Sequence, residues 1–143
     1  MGSAQRQKDA TILVVDDEPI ALEFCRTTLT RAGFTVITAA TGDEALRRLK
    51  NHSPISLALL DVVMPHMSGA ALARRIETTR PGTKIILMSG FAPDEVKRVI
   101  GKDAADYRTM WKPFTPDALV RMVRNVLDAP PPAPGGKPAQ AGS

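Results

Sequence analysis

Cysteine is almost absent: Cys25 is the only one in 143 residues. This excludes an internal disulfide and a cysteine-built zinc site, and it suits a reducing compartment such as the cytoplasm. Aromatic residues make up 4% of the chain, so the core must be aliphatic. No basic stretch alternates with aromatic rings as a base-stacking surface would, so no direct nucleic-acid contact is expected. No apolar run approaches the roughly 20 residues needed to cross a bilayer, so no membrane partner is expected either. The first ten residues are polar and lack the apolar centre of a signal peptide. Concentrated charge is missing too. The net charge of +4 is spread over Arg47, Arg48 and Lys50, then Arg74 and Arg75, then Lys97 and Arg98, then Arg121 and Arg124. These lie in separate segments and read as solvated helix faces.

What is present is an alternation of two patterns. Residues 11–15, 34–38, 56–60, 84–88 and, more weakly, 107–111 are short and rich in apolar or β-branched residues. Three of these runs are apolar almost throughout, as strands covered on both faces are. Helical spacing lies between them. Ala21, Phe24, Cys25, Leu29 and Ala32 form one stripe, which places Cys25 in packing rather than chemistry, and Gly33 is a natural stop. Thr41 with Glu44 reads as a capping box ahead of Ala45, Leu46 and Leu49. Leu72 and Ile76 mark a third helix. Pro93 with Val96, Val99 and Ile100 marks a short fourth. Thr115, Pro116 and Asp117 open a fifth, whose stripe is Leu119, Met122, Val123, Val126 and Leu127. Five strands alternating with five helices imply an α/β fold with a parallel sheet covered on both sides. Residues 1–9 read as a disordered segment or expression remnant. Residues 129–143, with five prolines and three glycines, read as a disordered tail. The domain between them spans 10–128.

The polar residues fall in one place in this scheme. Asp16 and Asp17 follow the first strand, Asp61 the third, Ser89 the fourth and Lys112 the fifth. In a parallel sheet these ends share one edge, where open α/β sheets bind ligands. Three neighbouring carboxylates repel one another unless a cation neutralises them, and a hard oxygen-preferring ion such as Mg²⁺ suits them. A lysine and a hydroxyl beside that ion can hold phosphoryl oxygens, and a carboxylate can attack phosphorus to form an aspartyl phosphate. Each residue alone has a plainer reading: Asp16 or Asp17 as a helix cap, Asp61 as a turn acid, Ser89 with Gly90 as a turn, Lys112 as a surface lysine. Their joint placement at four strand ends argues against four coincidences. His52 and His66 read as exposed loop residues.

Residues 12–19 (ILVVDDEP), 59–69 (LLDVVMPHMSG), 88–91 (MSGF) and 111–119 (WKPFTPDAL) resemble, in order and spacing, the motifs of response regulator receiver domains of two-component signalling. The resemblance covers about residues 10–128. It implies a flavodoxin-like (βα)5 sandwich with strand order 2-1-3-4-5. It implies Asp61 as phosphoacceptor, served by a phosphohistidine on a histidine kinase or histidine phosphotransfer protein. It implies Mg²⁺ held by Asp17, Asp61 and the backbone carbonyl of Val63, with Asp16 acting through water. Ser89 and Lys112 would receive the phosphoryl oxygens, and the Lys112–Pro113 bond would be cis. The position three before the lysine, often aromatic in the family, is Thr109, with Tyr107 two residues earlier. Val63 and Phe91, where the family tunes hydrolysis, are apolar and imply slow loss of the phosphoryl group. A downstream protein would read the switched surface. The module could stand alone or belong to a hybrid histidine kinase. The competing reading is a Mg²⁺-dependent phosphatase with an aspartyl-phosphate intermediate. Such enzymes place two acids as Asp-x-Asp after one strand, whereas here the lone acid follows the third.

Overall fold

Strand β1, Thr11–Val15, is buried along nearly its whole length, as are β3, Leu57–Asp61, and β4, Lys84–Ser89. They form the middle of a five-stranded sheet in a computed structural model that describes residues 10–52, 54–90, 94 and 107–129. The edges are β2, Thr35–Ala39, and β5, Arg108–Trp111, both only partly buried. All pairings are parallel and the strand order is β2-β1-β3-β4-β5. The direction of the order reverses at β1 and β3, which places a crevice at their carboxyl ends.

The strands alternate faces with period two, and each face has its own aliphatic core. Ile12, Val14, Leu57, Leu59, Ile86, Met88 and Met110 pack with α1, Pro19–Arg31, and α4, Pro116–Asp128. Leu13, Val15, Ala58, Leu60, Ile85 and Leu87 pack with α2, Gly42–Asn51, and α3, Gly69–Thr79. Cys25 is buried on the first face with its Sγ 3.9 Å from Met88 Sδ, and burial pushes its thiol up to about 12. It is a packing residue, as its place in the helical stripe implies. The fourth helix expected from Pro93, Val96, Val99 and Ile100 lies outside the described residues, as do residues 1–9, Phe91 and nearly all of the expected tail.

Helix ends follow their sequence signals. Gly33 has φ 104°. Its N–H donates to Thr30 O and the Phe34 N–H to Leu29 O, which closes α1 with the paired bonds of a Schellman turn. Phe34, expected to begin the second strand, belongs to this turn, and β2 starts one residue later. Thr41 Oγ1 accepts from Glu44 N–H, while Glu44 Oε1 accepts from Ala40 N–H. The box therefore closes on the residue before the cap. Thr115 caps α4 by accepting from Ala118 N–H.

Candidate functional site

Alternation along the sheet carries Asp16, Asp61 and Lys112 to one place. Asp61 continues the parity of Leu57 and Leu59, Asp16 that of Ile12 and Val14, and Lys112 that of Met110, all on the α1 and α4 side. Asp16 and Lys112 each stand one residue past their strands rather than at the last position. Asp16 is fully buried and Asp61 is 7% exposed. Asp17 is exposed, yet one carboxylate oxygen from each of the three acids lies within 4.8 Å of the others.

Lys112 holds this cluster together. Its Nζ is 2.8 Å from Asp16 Oδ2 and 3.3 Å from Asp61 Oδ1. The other oxygen of Asp16, Oδ1, accepts the Glu18 N–H at 2.9 Å. Asp16 thus neither stands as the N-cap of α1 nor leaves the turn: Glu18 is the cap residue, without a side-chain cap bond. Burial and the neighbouring Asp16 charge raise the Asp61 carboxyl to about 6, with Asp17 adding to the rise and Lys112 opposing it. Burial alone would lower the Lys112 ammonium, but its hydrogen bond to Asp16 and the charges of Asp61 and Asp16 outweigh this and hold it above its ordinary value.

Three carboxylates against one ammonium leave two negative charges uncompensated. A divalent, oxygen-preferring cation matches both that deficit and the donor type. The acidic triad therefore fits Mg²⁺.

The loop after β3 is built around Asp61. Val62 N–H donates to Met88 O, and Gly69 N–H donates to Val62 O, both at 2.8 Å. Gly69 packs on the backbone of Asp61 so tightly that a Cβ there would stand 2.2 Å from Asp61 O. Gly42, at the start of α2, packs against the side chain of Met67, where a Cβ would stand 2.8 Å from its sulfur. The Val62 and Gly69 contacts fix the course of the chain that follows Asp61. Gly69 is a positioning residue that the sequence reading assigned no role, although it closes the LLDVVMPHMSG stretch. Only its spacing from Asp61 signalled it. His66 is exposed with φ 71°, an αL turn residue.

Ser89 is buried at the end of β4, and its carbonyl accepts the Lys112 N–H at 2.7 Å. Strand register thereby sets both residues at the rim together. The Lys112–Pro113 bond is cis. Thr109 pairs with Leu87 inside the β4–β5 ladder, so the position three before Lys112 is occupied by a threonine. Tyr107 sits toward the other end of β5 and donates its hydroxyl hydrogen to Glu77. Val63 is 39% exposed, two residues past Asp61.

A family model described as the response regulator receiver domain matches residues 12–124. The chain is 35% identical over 120 residues to part of the sensor kinase CckA of Brucella abortus, covering 83% of this chain and 13% of that protein. A CheY-like response regulator receiver domain protein from Methanospirillum hungatei superposes with a TM-score of 0.74 at 32% identity, covering 84% of this chain and 94% of that one. The response regulator protein TrrA of Thermotoga maritima, solved in complex with Mg²⁺ and beryllofluoride, gives a TM-score of 0.70 at 32% identity, covering 82% and 98%. The chain spans at most about half the length of the curated relatives it matches.

Proposed function

Because the chain belongs to the response regulator receiver family, we propose that Asp61 accepts a phosphoryl group from a phosphohistidine on a partner protein. The observation that carries this reading is the packing of Asp61 with Asp16, Asp17 and Lys112: a shielded carboxylate beside two more acids and one ammonium. Asp17, Asp61 and the Val63 carbonyl would hold Mg²⁺, with Asp16 reaching it through water. Bound there, Mg²⁺ supplies neutralisation of the carboxylates and of the incoming phosphoryl oxygens.

The chain's own residues do the rest. A carboxylate oxygen of Asp61 attacks phosphorus as the P–N bond of the phosphohistidine breaks. The imidazole, protonated at its other nitrogen, leaves neutral with the electron pair of that bond. Lys112, already 3.3 Å from Asp61, receives an oxygen of the transferred group, and the Ser89 hydroxyl another. These contacts position and neutralise, which is most of what phosphoryl transfer requires. Asp16 holds Lys112 in place from its buried side.

The family is one of signalling modules rather than enzymes acting on a separate substrate. Its members work with histidine kinases. For this chain a kinase or histidine phosphotransfer protein is the proposed donor, a downstream protein the proposed reader, and the cytoplasm the proposed setting. Among the described residues no helix is long and apolar enough to cross a membrane.

The test is incubation with Mg²⁺ and either acetyl phosphate or beryllofluoride, followed by mass spectrometry and Trp111 fluorescence. A single phosphoryl adduct on Asp61, with a fluorescence response that needs Mg²⁺ and is lost in Asp61→Asn, is the expected result. An adduct on another residue, or turnover of small phosphate esters without one, overturns the reading.

A further inference from the structure

Five methionines lie among the described residues. Met64, Met88 and Met110 are buried. Met122 is partly buried, and its sulfur accepts from Arg108 Nη1 at 3.6 Å. Met67 is partly buried as well, but its sulfur has a different neighbour. It packs on Gly42, the first residue of α2, where a Cβ would stand 2.8 Å from Sδ and 3.2 Å from the Met67 Cβ. Met67 also rests on the core that Ala45, Leu49 and Leu72 share. One thioether thus joins the loop that follows Asp61 to the start of another helix.

The chain just before Met67 is held in an uncommon shape. His66 has φ 71°, and the Met67 N–H donates across it to Pro65 O at 2.8 Å. A histidine with positive φ stores strain and persists only where its surroundings hold it. Just after Met67, Ser68 Oγ accepts the Ala71 N–H at 3.1 Å and Gly69 is seated on Asp61 O. That side is anchored to α3. Met67 stands between the strained turn and this anchor, and it holds by the fit of an apolar side chain. A peroxide converts that side chain into a polar one.

We propose that Met67 is a site of oxidation by peroxides, and that its sulfoxide unlatches the loop after Asp61 and slows phosphoryl transfer to that residue. The proposal rests on Asp61 being the acceptor. The sulfur attacks one oxygen of the peroxide, the O–O bond breaks and an S–O bond forms. The second oxygen takes up the proton and leaves as water or an alcohol. The thioether is oxidised by two electrons and the peroxide reduced by two. The space between Sδ and Gly42 is too small for a Cβ, so it is too small for an added oxygen. That oxygen also seeks hydrogen bonds that an aliphatic core does not supply. The side chain leaves, and the strained turn at His66 relaxes. Val63 and the Gly69 contact lie on either side of that turn, so Asp61 loses its fixed setting. Methionine sulfoxide reductases remove the oxygen, which makes the change reversible. Cys25 does not compete for the oxidant: it is buried, and with its thiol pushed up to about 12 it carries almost no thiolate.

The full chain is treated with hydrogen peroxide, and sulfoxide at each methionine is followed by peptide mass spectrometry. Asp61 labelling by acetyl phosphate with Mg²⁺ and hydrogen exchange over residues 62–69 are measured alongside. Met67 sulfoxide is expected to form ahead of that at Met64, Met88 and Met110. As it forms, the labelling rate should fall severalfold and exchange over the loop should quicken. Treatment with methionine sulfoxide reductases should restore both. Met67→Leu should keep its own labelling rate through the same treatment, whereas Met122→Leu should lose it as the unaltered chain does. Oxidation of Met67 no faster than that of the buried methionines overturns the latch. So does an unchanged labelling rate once Met67 is oxidised, a rate that does not recover on reduction, or an equal loss in Met67→Leu. An Asp61 that takes no label before oxidation removes the acceptor reading instead. Exchange then decides the latch: quickening in the unaltered chain but not in Met67→Leu supports it, and equal behaviour of the two overturns it.

Discussion

At Asp61 two demands conflict. Burial and the charge of Asp16 raise its carboxyl to about 6, from an ordinary value of 3.8. A carboxyl with a higher pKa in the folded chain binds its proton more tightly there, so its ionisation opposes folding. Its favourable contribution is present in full below about pH 4 and is lost as pH rises through about 6. A shift of this size corresponds to at most about 3 kcal/mol, and the watery mouth of the pocket reduces it. Asp61→Asn is therefore expected to stabilise the metal-free protein by about 1–2 kcal/mol at pH 8, read from urea unfolding in EDTA. The gain should fade near pH 4, where the native carboxyl is itself protonated. A variant no more stable than the parent at pH 8 would mean that Lys112 already compensates the acid in full. Beside it, the apolar Val63 cannot orient a water for hydrolysis. Val63→Asn should shorten the lifetime of the phosphorylated protein severalfold, followed as decay of the phosphoryl label.

Among the elements, the β3–α3 connection and the end of α4 make the sharpest demands on sequence. Gly69 opens α3 with its Cα against the backbone of Asp61. Gly69→Ala must displace either the helix start or the acceptor, because the obstructing atoms are backbone. A cost of about 2–3 kcal/mol is expected, as for overpacking a core. The acetyl phosphate labelling rate should fall as well, which separates a shifted acceptor from mere loss of stability at temperatures where the variant is folded. At the opposite edge of the sheet, Lys84 Nζ donates to the carbonyls of Val126, Leu127 and Ala129 at 3.0, 2.9 and 2.6 Å. An ammonium at these orphan carbonyls satisfies the helix end and its dipole together. Burial lowers its pKa while Asp128 opposes the shift. Lys84→Met should cost about 1–2 kcal/mol, and hydrogen exchange should speed selectively at the last turn of α4. These two contacts show where the sequence is silent. Gly69 is adjacent to Asp61 only because the intervening loop doubles back, and Lys84 meets residues more than 40 positions away. Neither leaves a periodic or compositional trace. The elements themselves do: the three apolar runs became the three buried strands, and Gly33, Thr41 and Thr115 ended or began helices as their chemistry dictates.

For the molecule as a whole, the legible part of the site is its gathering. Acids, hydroxyl and lysine at separate strand ends are enough to place one pocket once the sheet is parallel. Their individual environments are not legible: Asp16 and Asp17 are neighbours in sequence, yet one is fully buried and the other exposed, because the chain turns between them into α1. That asymmetry makes Asp17 the clean handle on the metal. Asp16 is fastened to Lys112 and to the Glu18 N–H, so replacing it disturbs the fold, whereas Asp17→Ala removes an exposed charge. Binding of a ligand to the native state alone stabilises it by mass action, about 2.7 kcal/mol at a hundredfold excess over Kd. For a domain of this size that is a rise of about 10 °C in Tm. Calorimetry of the parent protein with increasing Mg²⁺ should show such a rise. In Asp17→Ala the rise should be largely lost, while the Tm in EDTA stays level or increases as repulsion within the triad is relieved. An equal Mg²⁺ response in parent and variant would place the cation elsewhere and detach it from the acceptor carboxylate.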